Sequence, residues 1–313
     1  MKRLNDTLFL EALKNRAIGS REQYKAFFSS FLGGITTEVH HMVVPMDDHM
    51  VHRGDAVFEA IKFTKGEVYA FERHIDRLEV SMQAIAMVPP TSRADLKETI
   101  FETLRASRLD TGLIRLFIAR GPGGFTANPF ETIGTQIYCA ITTMSVPAEE
   151  QYARGVKTGS SVTRVKDDFY ARTKSCNYLP NVMMKKEALD RKIDFVISHD
   201  EEGFLAEGST ENFALIDASG VLVLPPFERI LRGVTAVRAM ELARAMGLKS
   251  ENRRFTVNDV RKAKGAVMLG TTIDVLPVAS FDDHAFAGRP EETSRLIAAF
   301  SEDLANGPLL EKF

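Results

Sequence analysis

Few side chains in this sequence can do covalent chemistry, and one of them stands out by position. Lys174 lies within Arg172-Thr173-Lys174-Ser175-Cys176-Asn177-Tyr178-Leu179, just ahead of a helical stretch and outside any obvious solvated charge run. A lysine amine can condense with a carbonyl group, provided its proton is loosely held. Groups suited to one anionic, heteroaromatic ligand are spread along the rest of the chain. Arg77 can fork onto a phosphate, Gly233-Val234-Thr235 opens a helix whose first amides point at an anion, and Gly270-Thr271-Thr272 offers amides and hydroxyls after a strand. Glu207, at a strand end and leading into Gly208-Ser209-Thr210-Glu211-Asn212, can hold a ring nitrogen protonated and so make the ring an electron sink.

Several other chemistries are absent. There is no Gly-x-x-x-x-Gly-Lys-Ser/Thr loop, no His-Glu-x-x-His and no Gly-x-Ser-x-Gly elbow. His40-His41 and the pair His49 and His52 lack the further ligands a metal site needs, so no metal is expected. The two cysteines, Cys139 and Cys176, form no disulfide or zinc pattern, which points to a reducing, cytoplasmic setting. Forty Lys+Arg balance forty-two Asp+Glu, a formal net charge of -2, so neither nucleic acid nor an anionic membrane is an expected partner. The N-terminus lacks a long apolar region and no run approaches the roughly 18 apolar residues of a membrane span. The sequon Asn5-Asp6-Thr7 is read as chance.

These groups need elements to position them. The chain has 313 residues, 44% hydrophobic and 26% charged, enough for a real core and, at roughly 150 residues per domain, about two domains. Spacing of Leu8, Leu10 and Leu13 predicts a helical extension running to about Ser30. Ala56–Thr64 reads as a strand, Lys65-Gly66-Glu67 as a tight turn and Val68–Phe71 as its return. Ile75, Leu78, Met82 and Ile85 recur at helical spacing up to Pro89-Pro90, and Arg77 lies beside that stripe. A helix through Leu96, Ile100 and Leu104 leads to strands Ile114–Arg120 and Gln136–Thr143. The polar stretch 147–155 is the expected linker between an N-terminal domain, 1–146, and a strand-rich C-terminal domain, 156–313. Strands are expected near Val156 and at Phe195–Ser198, Phe204–Glu207, Phe213–Asp217, Val221–Leu224 and Ala266–Leu269, with helices to Arg191, at Val234–Met246 and after Pro290. The class is α+β.

In order along the chain, Phe58-Glu59, His74-Ile75-Asp76-Arg77-Leu78, Lys174 to Leu179, Glu207 to Asn212, Gly233-Val234-Thr235 and Gly270-Thr271-Thr272 with Pro277-Val278 resemble the class IV, fold type IV, pyridoxal-phosphate enzymes. The likeness covers roughly Gly54 to Val278. It implies a small N-terminal α/β domain, a larger C-terminal pseudo-barrel domain, and a cleft closed by a loop of a neighbouring subunit, with a homodimer as the minimum. By the same resemblance Lys174 would link covalently to pyridoxal 5'-phosphate and Glu207 would pair with its pyridine nitrogen. Arg77, Val234, Thr235 and Thr271 would hold the phosphate, and Tyr178 would approach the phenolic side. The implied reaction is a ping-pong transfer of an amino group between an amino acid and a 2-oxo acid.

Within the family, Phe58-Glu59 and the blocks after Lys174 and Glu207 look like branched-chain aminotransferases, whereas His74 to Leu78 and Ala119-Arg120-Gly121 look like D-amino acid aminotransferases. Arg53 and Leu113 stand where tyrosines of the branched-chain enzymes are expected, and Gly121-Pro122-Gly123-Gly124-Phe125 lacks the Arg-x-His pair of the D-specific ones. Arg115 aligns with an arginine that binds a distal carboxylate, and Arg53 is a second candidate. Phe58 and Thr272 are the other expected substrate contacts. An aminodeoxychorismate lyase and a non-catalytic cofactor-binding protein are the alternatives.

Overall fold

The computed structural model describes residue 1 and residues 3–15 and 21–313. They divide into two compact units: Met1–Val68, Met82–Met144 and Glu311–Phe313 in the first, Tyr69–Ser81 and Ser145–Leu310 in the second.

The first unit grows from a hairpin legible in the sequence. Ala56–Thr64 pairs antiparallel with Glu67–Tyr69 across Lys65 and Gly66, both at positive φ (52° and 78°). That backbone matches the twist of the flanking strands, which is why a glycine stands there. The seven-stranded sheet runs Leu310–Lys312, Glu67–Tyr69, Ala56–Thr64, Gly112–Ala119, Gln136–Thr142, Tyr24–Ser29, Gly34–Thr36. In Gly112–Ala119 every residue is buried except Arg115 and Phe117, which alternation places on one face. Helix Arg93–Ser107 is capped by Ser92, whose hydroxyl accepts from the Asp95 amide, and buries Leu96, Ile100 and Leu104 as their spacing requires.

The N-terminal expectation needs correction. A helix does form at Asp6–Asn15, and residues 16–20 lie outside the described residues, but Tyr24–Ser29 is a strand. It is held between Gly34–Thr36 and Gln136–Thr142, so partners on both sides decide its state where local spacing did not.

The second unit is built on an eight-stranded sheet in the order Ser250–Asn252, Leu222–Leu224, Asn212–Ile216, Gly265–Gly270, Asp274–Phe281, Val156–Ser160, Phe195–Ile197, with His284–Ala285 paired to Asp274–Phe281. Both faces of its centre are covered. Ala214, Ile216, Val267 and Leu269 pack with Ala236, Ala239, Met240 and Ala243 of helix Val234–Ala245 and with Leu296 and Phe300 of helix Glu291–Asn306. Their neighbours Phe213, Leu215, Ala266 and Met268 pack on the opposite side with Phe255, Leu276 and Phe281. Two-sided burial explains the near-continuous apolar runs of these strands.

Two expectations differ here. The stretch 147–155 holds a helix, Glu149–Arg154, tied in by Tyr152 Oη donating to Ile273 O at 3.0 Å and by Gln151 Nε2 donating to Asp194 Oδ1 at 3.1 Å. Phe204–Glu207 makes only isolated bridges, to Thr256, His199 and Asn212. Asp274–Phe281 is a strand despite Pro277, because its parallel partner Val156–Ser160 engages only from Val278 onward.

The units are also not contiguous blocks. Helix Phe71–Ala84 begins in the second unit, and a chain of charges accounts for it. Tyr69 Oη donates to Asp303 Oδ2 at 2.5 Å, and Arg238 Nε donates to the same oxygen at 2.9 Å. Arg238 also donates to Glu241 at 2.9 Å, and Arg73 reaches both Glu241 oxygens at 3.0 Å. Burial alone would raise the Asp303 carboxyl, but the bonds from Arg238 and Tyr69 prevail and hold it below its ordinary value.

Asp303→Asn leaves a mostly buried guanidinium short of its counter-charge and is expected to cost about 3 kcal/mol in denaturant unfolding at pH 7. Because the folded carboxyl titrates below the unfolded one, its contribution is full above the ordinary carboxylate range and fades as pH falls. The gap between wild type and variant therefore closes toward roughly pH 3.

Candidate active site

Lys174 sits between the short helix Asp168–Arg172 and the helix Leu179–Asp190, in an irregular segment where no ladder satisfies its backbone. Its amide donates instead to Ser81 Oγ at 3.2 Å, and Ser81 is buried on the helix that carries Arg77. Lys174 itself is only 9% exposed. Thr173 Oγ1 donates to Phe169 O at 2.7 Å and closes the preceding turn.

Around it, one cavity of the second unit gathers Arg77, Lys174, Tyr178, Glu207, Val234, Thr235 and Thr271. Val234 and Thr235 are the first residues of a twelve-residue helix whose N-cap, Gly233, supplies no side-chain acceptor. Its leading amides therefore keep their positive pole for an anion. Gly233 is required by close approach, since a Cβ there would fall 2.0 Å from Asn212 Oδ1. Arg77 Nη1 donates to Arg232 O at 3.2 Å, which brings its guanidinium to the same helix start.

Glu207 is the electrostatic centre. Asn212 Nδ2 at 3.2 Å and the Leu231 amide at 3.1 Å both donate to Oε2, which leaves Oε1 to receive a ligand's nitrogen. Burial pushes its carboxyl up to about 7, against the opposing pull of Lys166, the Leu231 amide and Lys174, while Glu211 adds to the rise. Such a group exchanges its proton readily near neutrality.

Thr272 follows Thr271 in chain but is not among the residues lining this cavity. Arg53, Phe58 and Arg115 belong to the first unit. Phe58 stacks on Phe117 with centroids 5.8 Å apart. Arg53 is committed to carbonyls, His52 O at 2.8 Å and Phe125 O at 2.6 Å, and so latches the Gly121–Thr135 loop. Arg115 is exposed on its strand.

Two cavity residues were invisible to sequence reasoning. Lys166 reads as part of a polar stretch, and Asn181 as an ordinary helix residue. Asn181 is buried, donates Nδ2 to Ser209 O, and leaves Oδ1 without a partner. Only the fold reveals such an orphan acceptor at a cavity wall.

The amino-transferase class IV family matches residues 56–281. A chloroplastic D-amino-acid transaminase of Arabidopsis thaliana is 32% identical over 92% of this chain and 78% of its own length. A branched-chain-amino-acid aminotransferase of Pseudomonas aeruginosa is 29% identical over 83% of this chain and 87% of its own. Among solved structures, the branched-chain amino acid aminotransferase of Escherichia coli superposes with a TM-score of 0.86 at 23% identity, covering 93% of this chain and 99% of that one. That likeness shows the α+β, fold type IV architecture. The chain belongs to the class IV aminotransferase family and is a pyridoxal-phosphate-dependent transaminase.

Proposed function

We propose that Lys174 is the covalent anchor of pyridoxal 5'-phosphate and the proton carrier of a transamination whose donor is a branched-chain or D-amino acid. The observation that carries the reading is the convergence, in one cavity, of a buried lysine, a half-buried carboxylate with one oxygen unclaimed, and a helix N-terminus beside an arginine. These donors match the cofactor group by group. Arg77 and the Val234 and Thr235 amides suit its phosphate, with Thr271 beside them, Glu207 Oε1 suits the ring nitrogen, and Tyr178 borders the remaining edge. When bound, the cofactor supplies an aldehyde and a protonated ring that draws electrons from the substrate's α-carbon.

The residues' own tasks follow. Lys174 would bind the cofactor's aldehyde and, when freed, would hold and move the proton at the substrate's α-carbon. Glu207, ionised against a protonated ring nitrogen, holds that proton in place.

For the substrate carboxylate, Arg115 is favoured over Arg53. The Arg53 guanidinium is held by two carbonyls, whereas Arg115 stands exposed on the face it shares with Phe117. Phe58 and Thr272 remain proposed substrate contacts. A homodimer is supported by helix Leu179–Asp190, apolar on its outer side as well, where Leu179 is 72% and Val182 57% exposed. The two cysteines are free thiols, which favours a cytoplasmic setting, and no helix among the described residues is long and apolar enough to cross a membrane.

Lys174→Ala should abolish the bound chromophore and lower kcat by at least ~10³-fold, within the range of a positioned proton carrier. Glu207→Gln should keep the chromophore but lose on the order of 10²-fold in kcat, the scale of one preorganised polar group. Arg115→Ala should raise KM for the amino donor by roughly tenfold or more with kcat little changed, as expected for a lost charge-assisted hydrogen bond, whereas Arg53→Ala should not. Titrating the visible spectrum with L-leucine, L-glutamate, D-alanine and D-glutamate should bleach the chromophore with one enantiomeric series. Pyruvate release without an added 2-oxo acid would replace the transaminase reading by the lyase.

A further inference from the structure

Lys166 lines the same cavity as Lys174, and the chemistry above does not use it. It is half-buried, yet its ammonium makes no hydrogen bond or close ion pair with any described residue. Its neighbours are the ring of Tyr178, with Nζ 5.4 Å from the centroid, and the charge of Glu207. Burial works against its proton and Glu207 works for it. An ammonium kept at such a wall needs an anionic partner, and three N–H donors remain for one.

We propose that Lys166 is a second, non-covalent cofactor lysine, whose ammonium holds the phenolate oxygen of bound pyridoxal 5'-phosphate. The inference rests on the cofactor placement proposed above, and chemistry narrows it to that oxygen. The ligand has four polar groups. Its aldehyde goes to Lys174, its phosphate to Arg77 and the helix amides, and its ring nitrogen to Glu207. The phenol oxygen is left with the Tyr178 edge and no charged partner. In the pyridine ring the carbon bearing that oxygen and the nitrogen are separated by a single ring carbon, so a cation bordering both Glu207 and Tyr178 is placed toward that edge. The cavity thus divides its two lysines between a covalent and an electrostatic task, and no bond forms or breaks at Lys166.

The test uses ligands that cannot condense with Lys174: pyridoxamine 5'-phosphate and its analogue lacking the 3-hydroxyl. Their binding to the apoprotein is measured by titration calorimetry for wild type, Lys166→Met and Lys166→Arg. Wild type should bind the 3-hydroxyl ligand about tenfold or more tightly than the deoxy analogue, the scale of a hydrogen bond to a charged group. Lys166→Met should bind the two alike, and Lys166→Arg should restore most of the preference. If Lys166→Met does not fold, as judged by circular dichroism, Lys166→Gln replaces it with the same expectation. A neutral variant that keeps the wild-type preference overturns the role of Lys166 and leaves the cofactor reading intact. Failure of wild type to bind either ligand overturns that reading itself, and this inference with it.

Discussion

The site depends on a chain of charges that locks one helix onto another. Arg73, Glu241, Arg238, Asp303 and Tyr69 link the first turns of helix Phe71–Ala84 to helices Val234–Ala245 and Glu291–Asn306. The consequence is local and specific. With that helix so placed, Arg77 reaches the carbonyl of Arg232 at the opening of Val234–Ala245, and Ser81 reaches the backbone of Lys174. A guanidinium, a helix N-terminus and a lysine from three distant parts of the chain are thereby brought to one cavity. Such a network is costly to break at any one member, because each removal strands a partly buried charge.

Inside the cavity the electrostatics are balanced close to neutrality. Glu207 is pushed up to about 7 chiefly by burial, with Lys166 and Lys174 pulling it back. Its Oε2 accepts from Asn212 and Leu231, so Oε1 is the oxygen left open to take up or release a proton. Asn212 serves twice, since its Nδ2 also donates to Leu231 O at 2.9 Å and its Oδ1 leaves no room for a side chain at Gly233. One asparagine thus orients the carboxylate and fixes the start of helix Val234–Ala245. The adjoining glycine is a steric requirement of that arrangement.

The sheet of the second unit provides the rigidity. Glu207 bridges to Asn212 at the head of strand Asn212–Ile216, and Thr271 lies just beyond strand Gly265–Gly270, with both strands packed on each face. Site residues at strand ends inherit the precision of a close-packed core while remaining at its margin.

Much was legible in the sequence alone. Period-two and period-3.6 patterns place the hairpin at Ala56–Thr64 and the helices Arg93–Ser107 and Val234–Ala245, because these elements agree locally with their tertiary setting. Lys174, Glu207, Arg77 and the Gly233-Val234-Thr235 turn are recognisable because their residue types and order are chemical requirements of one ligand. Tertiary structure decided the rest. Tyr24–Ser29 became a strand through its sheet neighbours, and Pro277 was tolerated because one side of its strand is unpaired there. Lys166 and the unpartnered Oδ1 of Asn181 come to the cavity wall only through folding, a placement that no local pattern encodes. The allotment of Tyr69–Ser81 to the second unit goes with hydrogen bonds and ion pairs between residues up to 234 apart. Sequence order carries the chemistry that neighbouring residues can express; the pairing of distant charges and the emptiness around a side chain exist only after folding.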